Sequence, residues 1–350
     1  MTVPEILKEA EYTGRMRQEV LPYLDGRRTC GFFEAAPGQA LYYEHYDTEE
    51  KPCGIVVILH GYSESLPKHY ETVYYFLRGG YHVRQLSLRG HGKSYRYVSD
   101  PSLIHVPHWR LFLTDLDTYL GEVVGPGNRD GLPLILFGHS MGGAIGGLYL
   151  ERRPDVFSAA ILSSPMMKLK STSIPVSVQY LLEIGACLAG CGKQYAARTK
   201  PYDGTWTFEH SNAGTKPRWE YWAGEIARHR EYQTWGASWQ MARELIRMTW
   251  AVRKKKNCAR VNADVLLLSA GRDRLVTEEG QEEFISRIRS GRIEYFPEAT
   301  HEIYTAGDPD LARYWACIAD FLTETGEKAA LEICKKNDSK DTDSGDSHEQ

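Results

Sequence analysis

The run Leu134-Ile135-Leu136-Phe137-Gly138-His139-Ser140-Met141-Gly142-Gly143-Ala144 constrains this chain more than any other stretch. A short apolar run without alternation suits a strand covered on both faces. Gly138-x-Ser140-x-Gly142 follows at once, and the helix after it is lined with small residues: Gly142, Gly143, Ala144, Gly146 and Gly147. Each Gly costs a helix about 1 kcal/mol relative to Ala, so a Gly-rich helix needs a compensating reason. Close packing of the helix backbone against the strand supplies one. Strand, sharp turn and helix together read as a nucleophile elbow, in which a strained turn lifts a serine hydroxyl clear of a sheet. Ser140 is the candidate nucleophile.

A serine hydroxyl is a poor nucleophile at neutral pH and needs a base, itself held by a third group. In an elbow architecture the chain order is Ser, acid, His. Of twelve histidines, His301 and His348 alone lie beyond residue 273. His348 sits in a polar tail, whereas His301 falls in a loop after the strand Ile293–Phe296, so His301 is the expected general base. The acid belongs at the carboxyl end of a strand between the two. Asp273 lies just past the apolar strand 265–269, while Asp264 stands at that strand's wrong end. After the strand 159–162, the other architectural option, nothing acidic appears until Glu183. The strand Ile55–Leu59 runs into His60-Gly61-Tyr62, where a second oxyanion donor is expected. That donor would be the Tyr62 amide, paired with the amide of Met141, the residue after the nucleophile.

Around these stretches the chain alternates strand and helix. Residues 31–46 read as opening strands with a turn at Pro37-Gly38. Helices are expected at 69–79, 109–124, 278–288 and 309–323, and a further strand at 82–88. The expected fold class is α/β, with a mostly parallel central sheet flanked by helices and a helical cap insertion; the motifs gathered below make this resemble an α/β-hydrolase fold. The core is expected over 30–165 and 260–325. Residues 166–259 interrupt the alternation and hold six of the eight tryptophans (206, 219, 222, 235, 239, 250), which reads as the helical cap, with most tryptophans forming its own core. Residues 1–29 read as an N-terminal helical segment, broken near Gly14, that docks on the domain; the sharper alternative is a weak contact with a membrane surface. The tail 335–350 is almost without apolar residues and is expected to be disordered.

Composition removes several function classes. A net charge of −4 and a pI near 6.3 provide no basic field for nucleic acid. The seven scattered cysteines look like reduced thiols, and Cys187 and Cys191 lack a second ligand pair nearby, so neither metal nor organic cofactor is expected. The start of the chain has no apolar signal region, and the apolar stretch near 181–190 is too short to span a bilayer. The expected location is cytoplasmic, with peripheral membrane contact at most; no oligomeric state follows. Arg89-Gly90-His91-Gly92-Lys93-Ser94 lacks phosphate-loop spacing and reads as a structural loop bordering the pocket. Arg253-Lys254-Lys255-Lys256 reads as a solvated helix end, or as an attractor of anionic head groups.

The same residues carry a family resemblance. His60-Gly61, Arg89-Gly90-His91-Gly92-Lys93-Ser94, Gly138-His139-Ser140-Met141-Gly142-Gly143, Gly271-Arg272-Asp273 and Ala299-Thr300-His301-Glu302 resemble the α/β-hydrolase superfamily. Within it, the chain is similar to the branch of lysophospholipases and monoacylglycerol lipases related to serine aminopeptidases. Glu11-Tyr12-Thr13-Gly14, Val98-Ser99-Asp100-Pro101 and His301-Glu302-Ile303 bring it nearest to the bacterial lysophospholipase L2 group. The resemblance implies a triad of Ser140, Asp273 and His301, with Tyr62 and Met141 as oxyanion donors. Ser87 stands where such chains commonly carry an acid, and the cap matches only loosely.

The expected activity is therefore hydrolysis of carboxylic esters of single-chain lipids, lysophospholipid or monoacylglycerol, through an acyl-enzyme. Two alternatives stay open. One is cleavage of small esters, thioesters or, in the manner of a proline iminopeptidase, amino-acyl amides on the same triad. For the last of these Glu183, Glu209, Glu220 and Glu225 would hold the substrate amine. The other is a binding protein of the same fold without turnover.

Overall fold

The structure, a computed structural model, describes residues 4–171 and 174–343, with side chains up to Lys328. An eight-stranded sheet runs through it. Its strands are β1 (Arg28–Glu34), β2 (Ala40–Tyr46), β3 (Gly54–Leu59), β4 (Tyr81–Leu86), β6 (Leu134–His139), β7 (Ala159–Ser163), β9 (Asp264–Ala270) and β10 (Gly291–Phe296). The two-residue strands β5 (Leu103–Ile104) and β8 (Gly236–Ala237) pair separately. The order is β1-β2-β4-β3-β6-β7-β9-β10. β1 and β2 form an antiparallel hairpin at one edge, and the six strands from β4 to β10 are parallel.

Alternate residues of the central strands feed two separate cores. Val57, Leu136, Leu162 and Leu267 face α4 (Arg110–Thr118), α5 (Met141–Arg152) and α10 (Glu278–Ile285). Val56, Phe137, Ile161 and Leu268 face α3 (Tyr70–Arg78) and α11 (Asp308–Asp343). Burial on both faces is why these strands read as unbroken apolar runs.

The amino-terminal segment covers the α3/α11 face. Its helical path starts at Glu9 and passes through α1 (Tyr12–Arg15), a π-helical stretch Met16–Val20 and α2 (Leu21–Asp25), so it is not broken at Gly14. Ile6, Leu7, Tyr12, Met16, Val20 and Leu24 are buried against the domain. Arg218 ties the segment down, donating to the Leu7 carbonyl and to Glu71. At the other end α11 continues to Asp343, well past the expected 323. Of the expected polar tail, residues 344–350, His348 included, lie outside the described residues.

Between β7 and β9 the described residues add no strand to the main sheet. They form α6 (Val176–Leu188), α7 (Lys216–Arg228), α8 (Trp239–Ala251) and the short α9 (Lys255–Cys258). Trp222, Ile226 and Tyr232 make a small core there, with Tyr202, Trp206 and Trp235 packed on it.

Candidate active site

The carboxyl ends of β3, β6, β7 and β9 lie level. Leu59 pairs with Gly138, His139 with Ser163, and Ser163 with Leu268. Ser140 sits on this rim, between β6 and α5, at φ 51° and ψ −115°. That left-handed backbone costs a non-Gly residue about 1–3 kcal/mol, and the surroundings impose it. The Ser140 amide donates to the Ser163 carbonyl at 3.1 Å, and its carbonyl accepts from Met166 at 2.9 Å and Ala144 at 3.1 Å. The small residues of α5 have the reason expected of them. A Cβ on Gly142 would overlap the carbonyl oxygens of Leu59 and His60, and one on Gly146 would meet Leu136 of β6.

His301 and Asp273 arrive from the loops after β10 and β9. His301 Nδ1 donates to Asp273 Oδ2 at 2.6 Å. Asp273 Oδ1 accepts from the amides of Leu275 at 2.7 Å and Val276 at 3.0 Å. Burial opposes the charge on Asp273, but the His301 hydrogen bond and these amides outweigh it and hold the carboxyl below its usual range. Because an ionised carboxylate only accepts, Nδ1 of His301 carries the ring proton and Nε2 is left with a lone pair. Ser140 and His301 line one cavity of about 230 Å³, together with Tyr62, Trp206, Trp222, Trp235 and Leu275. Three of the insertion's tryptophans thus wall the site.

Met141 is the first residue of α5, and Tyr62 lies in the turn after β3. Among the described residues, neither amide donates to a backbone or side-chain acceptor. Two buried groups shape the Tyr62 turn. His60 Nε2 accepts from the Leu88 amide at 3.0 Å, so its Nδ1–H donates to the Gly61 carbonyl at 2.8 Å. Burial lowers the His60 ring to about 4, which keeps it neutral. Glu64 Oε2 accepts from the Gly61 amide at 2.6 Å.

Sequence reasoning did not find the network built on Glu64. Its carboxylate also takes His69 Nε2 at 3.0 Å, Tyr304 Oη at 2.9 Å and Lys68 Nζ at 2.9 Å, and Lys68 reaches Glu302 at 2.7 Å. Burial alone would raise the Glu64 carboxyl; the Lys68 charge and the neighbouring histidines hold it well below its usual range. Burial likewise opposes the Lys68 charge, and Glu302 and Glu64 overcome it. Lys68 thereby links the turn bearing Tyr62 to the loop bearing His301. The only signal for this in the chain is a glutamate three residues after Gly61 and another next to His301.

Arg89 makes a two-pronged buried pair with Asp115, at 2.6 and 2.5 Å, so its loop is structural as expected. Glu209 and Glu220 are exposed and Glu225 pairs with Arg228, so the four acids expected to hold a substrate amine are not gathered at the site. Glu183 alone is buried, in a neighbouring chamber.

The family model described as serine aminopeptidase, S33, matches residues 50–310. A monoacylglycerol lipase of Mycolicibacterium smegmatis is 25% identical over 286 residues, 80% of this chain and 92% of that protein. Lysophospholipase L2 of Escherichia coli is 38% identical over 112 residues, 32% of each chain. A soluble variant of monoglyceride lipase from Saccharomyces cerevisiae, solved with a substrate analog, superposes with a TM-score of 0.68 at 16% identity, covering 85% of this chain and 96% of its own.

Proposed function

The chain belongs to the serine aminopeptidase S33 family, and from that membership and the geometry above we propose that it is a serine hydrolase of single-chain lipid esters. It is an α/β-hydrolase and an ester hydrolase; the triad, the acyl-enzyme and the lipid preference are our reading. Ser140 Oγ attacks the acyl carbonyl while His301 Nε2 takes its proton. The Tyr62 and Met141 amides stabilise the oxyanion, which strengthens the attack because they are fixed before the charge develops. His301 returns the proton to the leaving alcohol. It then activates the water that releases the fatty acid, and Asp273 stabilises the imidazolium throughout.

The observation that carries this reading is the 2.6 Å bond between His301 and ionised Asp273 in the cavity that Ser140 enters from a strained turn. The lipid preference is supported by relatives named as monoacylglycerol lipase and lysophospholipase. Trp206, Trp222, Trp235 and Leu275 give an acyl chain an apolar wall beside Ser140. Residues 166–259 are the cap in this reading. An amide-cleaving function is less favoured, since among the described residues the two glutamates lining the cavity, Glu64 and Glu302, are both paired with Lys68.

The cap also bears on the membrane. Among the described residues no helix is long and apolar enough to cross one. Yet α6 exposes Val178, Leu181, Leu182 and Leu188, with Trp250 of α8 beside them against Tyr180. Lys254, Lys255 and Lys256 follow α8 and are exposed. An apolar face next to cations suits peripheral contact with an anionic lipid surface.

The test is a panel of monoacylglycerols, lysophospholipids, short p-nitrophenyl esters and amino-acyl amides, with Ser140→Ala as blank and fluorophosphonate labelling at Ser140. Preference for long single-chain lipids, absent from the blank, is expected. Turnover in Ser140→Ala, or preference for short esters or amides, would overturn it.

A further inference from the structure

Helix α6 is inside out. Its one charged residue, Glu183, is its one buried residue, at 7% exposure, while its leucines face solvent. Gln179 and Glu183, one turn apart, face a chamber of about 460 Å³. Leu169, Ala242, Leu245 and Ile246 supply its apolar lining. Tyr62 and Trp235 belong to both this chamber and the cavity at Ser140 and form the wall the two spaces share.

Glu183 Oε2 is buried and has no hydrogen-bond partner in the described structure. The Arg243 guanidinium of α8 acts on Glu183 through space, but the ion pair it makes, at 3.3 Å, is with Glu244. A buried carboxylate with one oxygen unbonded is costly to keep ionised; in the free protein a proton relieves that cost, and a bound cation would relieve it with the charge retained. A neutral partner would leave much of that cost in place; a cation removes it. Trp235 and Tyr62 in the lining add aromatic surface, to which a cation is also attracted. Arg198 and Lys200, both exposed, also line the chamber, Lys200 paired there with Asp203 at 2.5 Å, so that a phosphate would share it with that carboxylate. Cations outside and an anion within is the charge order met by a phosphate followed by an ammonium.

We infer that the chamber is a headgroup subsite in which Glu183 holds the ammonium of a zwitterionic single-chain phospholipid whose ester lies at Ser140. This rests on the lipid-ester reading above. It makes Glu183 a specificity residue that selects lysophospholipid over monoacylglycerol, with the acyl chain placed against the tryptophans on the other side of Tyr62.

Burial pushes the free Glu183 carboxyl up to about 7 despite Arg243. A bound ammonium favours its ionised form. Preference for ammonium-bearing substrate therefore rises with pH from 6 to 8. Arg243 of α8 acts on Glu183, and Arg198, Lys200 and Tyr62 line the chamber. A ratio of two substrates on one enzyme cancels effects common to both, those of His301 included.

The experiment measures kcat/KM for lysophosphatidylethanolamine, lysophosphatidylcholine and monoacylglycerol of equal acyl length, on wild type, Glu183→Gln and Glu183→Asp, from pH 6 to 8, with Tm alongside. Glu183→Gln is expected to lower the lysophospholipid-to-monoacylglycerol ratio roughly ten- to hundredfold, as for a lost charge-assisted bond, and to flatten its pH dependence. Glu183→Asp restores part of the ratio, and Glu183→Gln keeps or raises Tm. An unchanged ratio overturns the inference while leaving the lipid reading intact, as does a Glu183→Gln effect on acyl-length preference alone. Glu183-dependent turnover of amino-acyl amides in place of lysophospholipid overturns it too. Failure of wild type to cleave any long-chain lipid refutes the lipid reading itself.

Discussion

Asp273→Asn separates the chemistry of the site from its architecture. The amide can sit in only one sense. Asp273 Oδ1 accepts two amides, from Leu275 at 2.7 Å and Val276 at 3.0 Å, and an NH2 placed there would face two donors. The Asn oxygen therefore takes that position, and the NH2 faces His301 across what is now a 2.6 Å bond. Nδ1 must become the acceptor, which puts the ring proton on Nε2, the atom that in the proposed mechanism receives the proton of Ser140. The expected loss is about 10⁴-fold in kcat, as for other triads forced into the wrong tautomer, equal to about 5.5 kcal/mol of barrier. Asp273→Ala should lose a similar factor but also releases the loop. Charge-assisted bonds are worth about 1.5–3 kcal/mol each, so it should melt well below Asp273→Asn. Burst kinetics on a p-nitrophenyl ester, with Tm by circular dichroism, measure both. Turnover of Asp273→Asn within tenfold of wild type would refute the tautomer argument and remove Asp273 from the triad. The lowered Asp273 carboxyl also sets a sign. Its contribution to stability is complete at neutral pH and is lost as pH falls below the ordinary carboxylate range, about 4.

Three further expectations follow from buried charges and the exposed helix. Lys68→Met strands Glu64 and Glu302 without their shared cation, all three side chains being less than a tenth exposed; a loss of about 3–5 kcal/mol is expected, with partial recovery at acid pH, and urea melts at pH 5 and 7 would show it. Burial pushes Glu151 up to about 8, so the folded state holds a proton that the unfolded chain releases, and stability falls as pH climbs from the ordinary Glu value toward 8. Glu151→Gln should abolish that slope and be the more stable form at pH 8, by about 1.4 kcal/mol for each pH unit crossed; equal melts of the two at pH 8 would count against it. Leu181→Asp with Leu182→Asp should cut co-sedimentation with anionic vesicles by roughly tenfold or more while leaving hydrolysis of a soluble short ester at the wild-type rate; unchanged sedimentation would take α6 off the lipid surface.

The sheet was legible because its strands are buried on both sides. Val56 and Val57 point to opposite cores, so neither could be polar, and the run from Ile55 to Leu59 shows through in the chain. Ser140 was legible for a related reason: backbone contact with β3 permits only glycine at 142, and glycine leaves a mark that no packing preference erases. Chain order then narrowed twelve histidines to His301, which the structure places against Asp273. What periodicity misjudged was continuity. Gly14 looked like a break, but it lies in an unbroken helical path with nothing within 4 Å of where its Cβ would be. There the glycine is tolerated because Tyr12, Met16 and Val20 on the other side are held by the domain.

The Glu64 network escaped notice and the burial of Glu183, an acid the chain did single out, was not foreseen, for opposite reasons. Glu64, Lys68 and Glu302 are polar residues in loops, where polarity is the default and carries no signal; their burial exists only once Tyr304, 240 positions from Glu64, folds over them. Glu183 breaks its helix's pattern, and the break was visible as one acid in an apolar stretch. Read as an amphipathic helix, that pattern puts the leucines inside and the acid out, and the structure has it the other way round. A helix packed on a solid core could not be reversed in this way, since its leucines would be needed within. α6 can be, because it borders a chamber rather than a core, and what lines a chamber is set by the ligand it admits. The same freedom makes the insertion the least legible part of the chain. The central sheet answers to its own packing, which any reader of hydrophobic pattern can reconstruct, whereas in our reading α6 answers to molecules that are not in the chain: a substrate on one side and a lipid surface on the other.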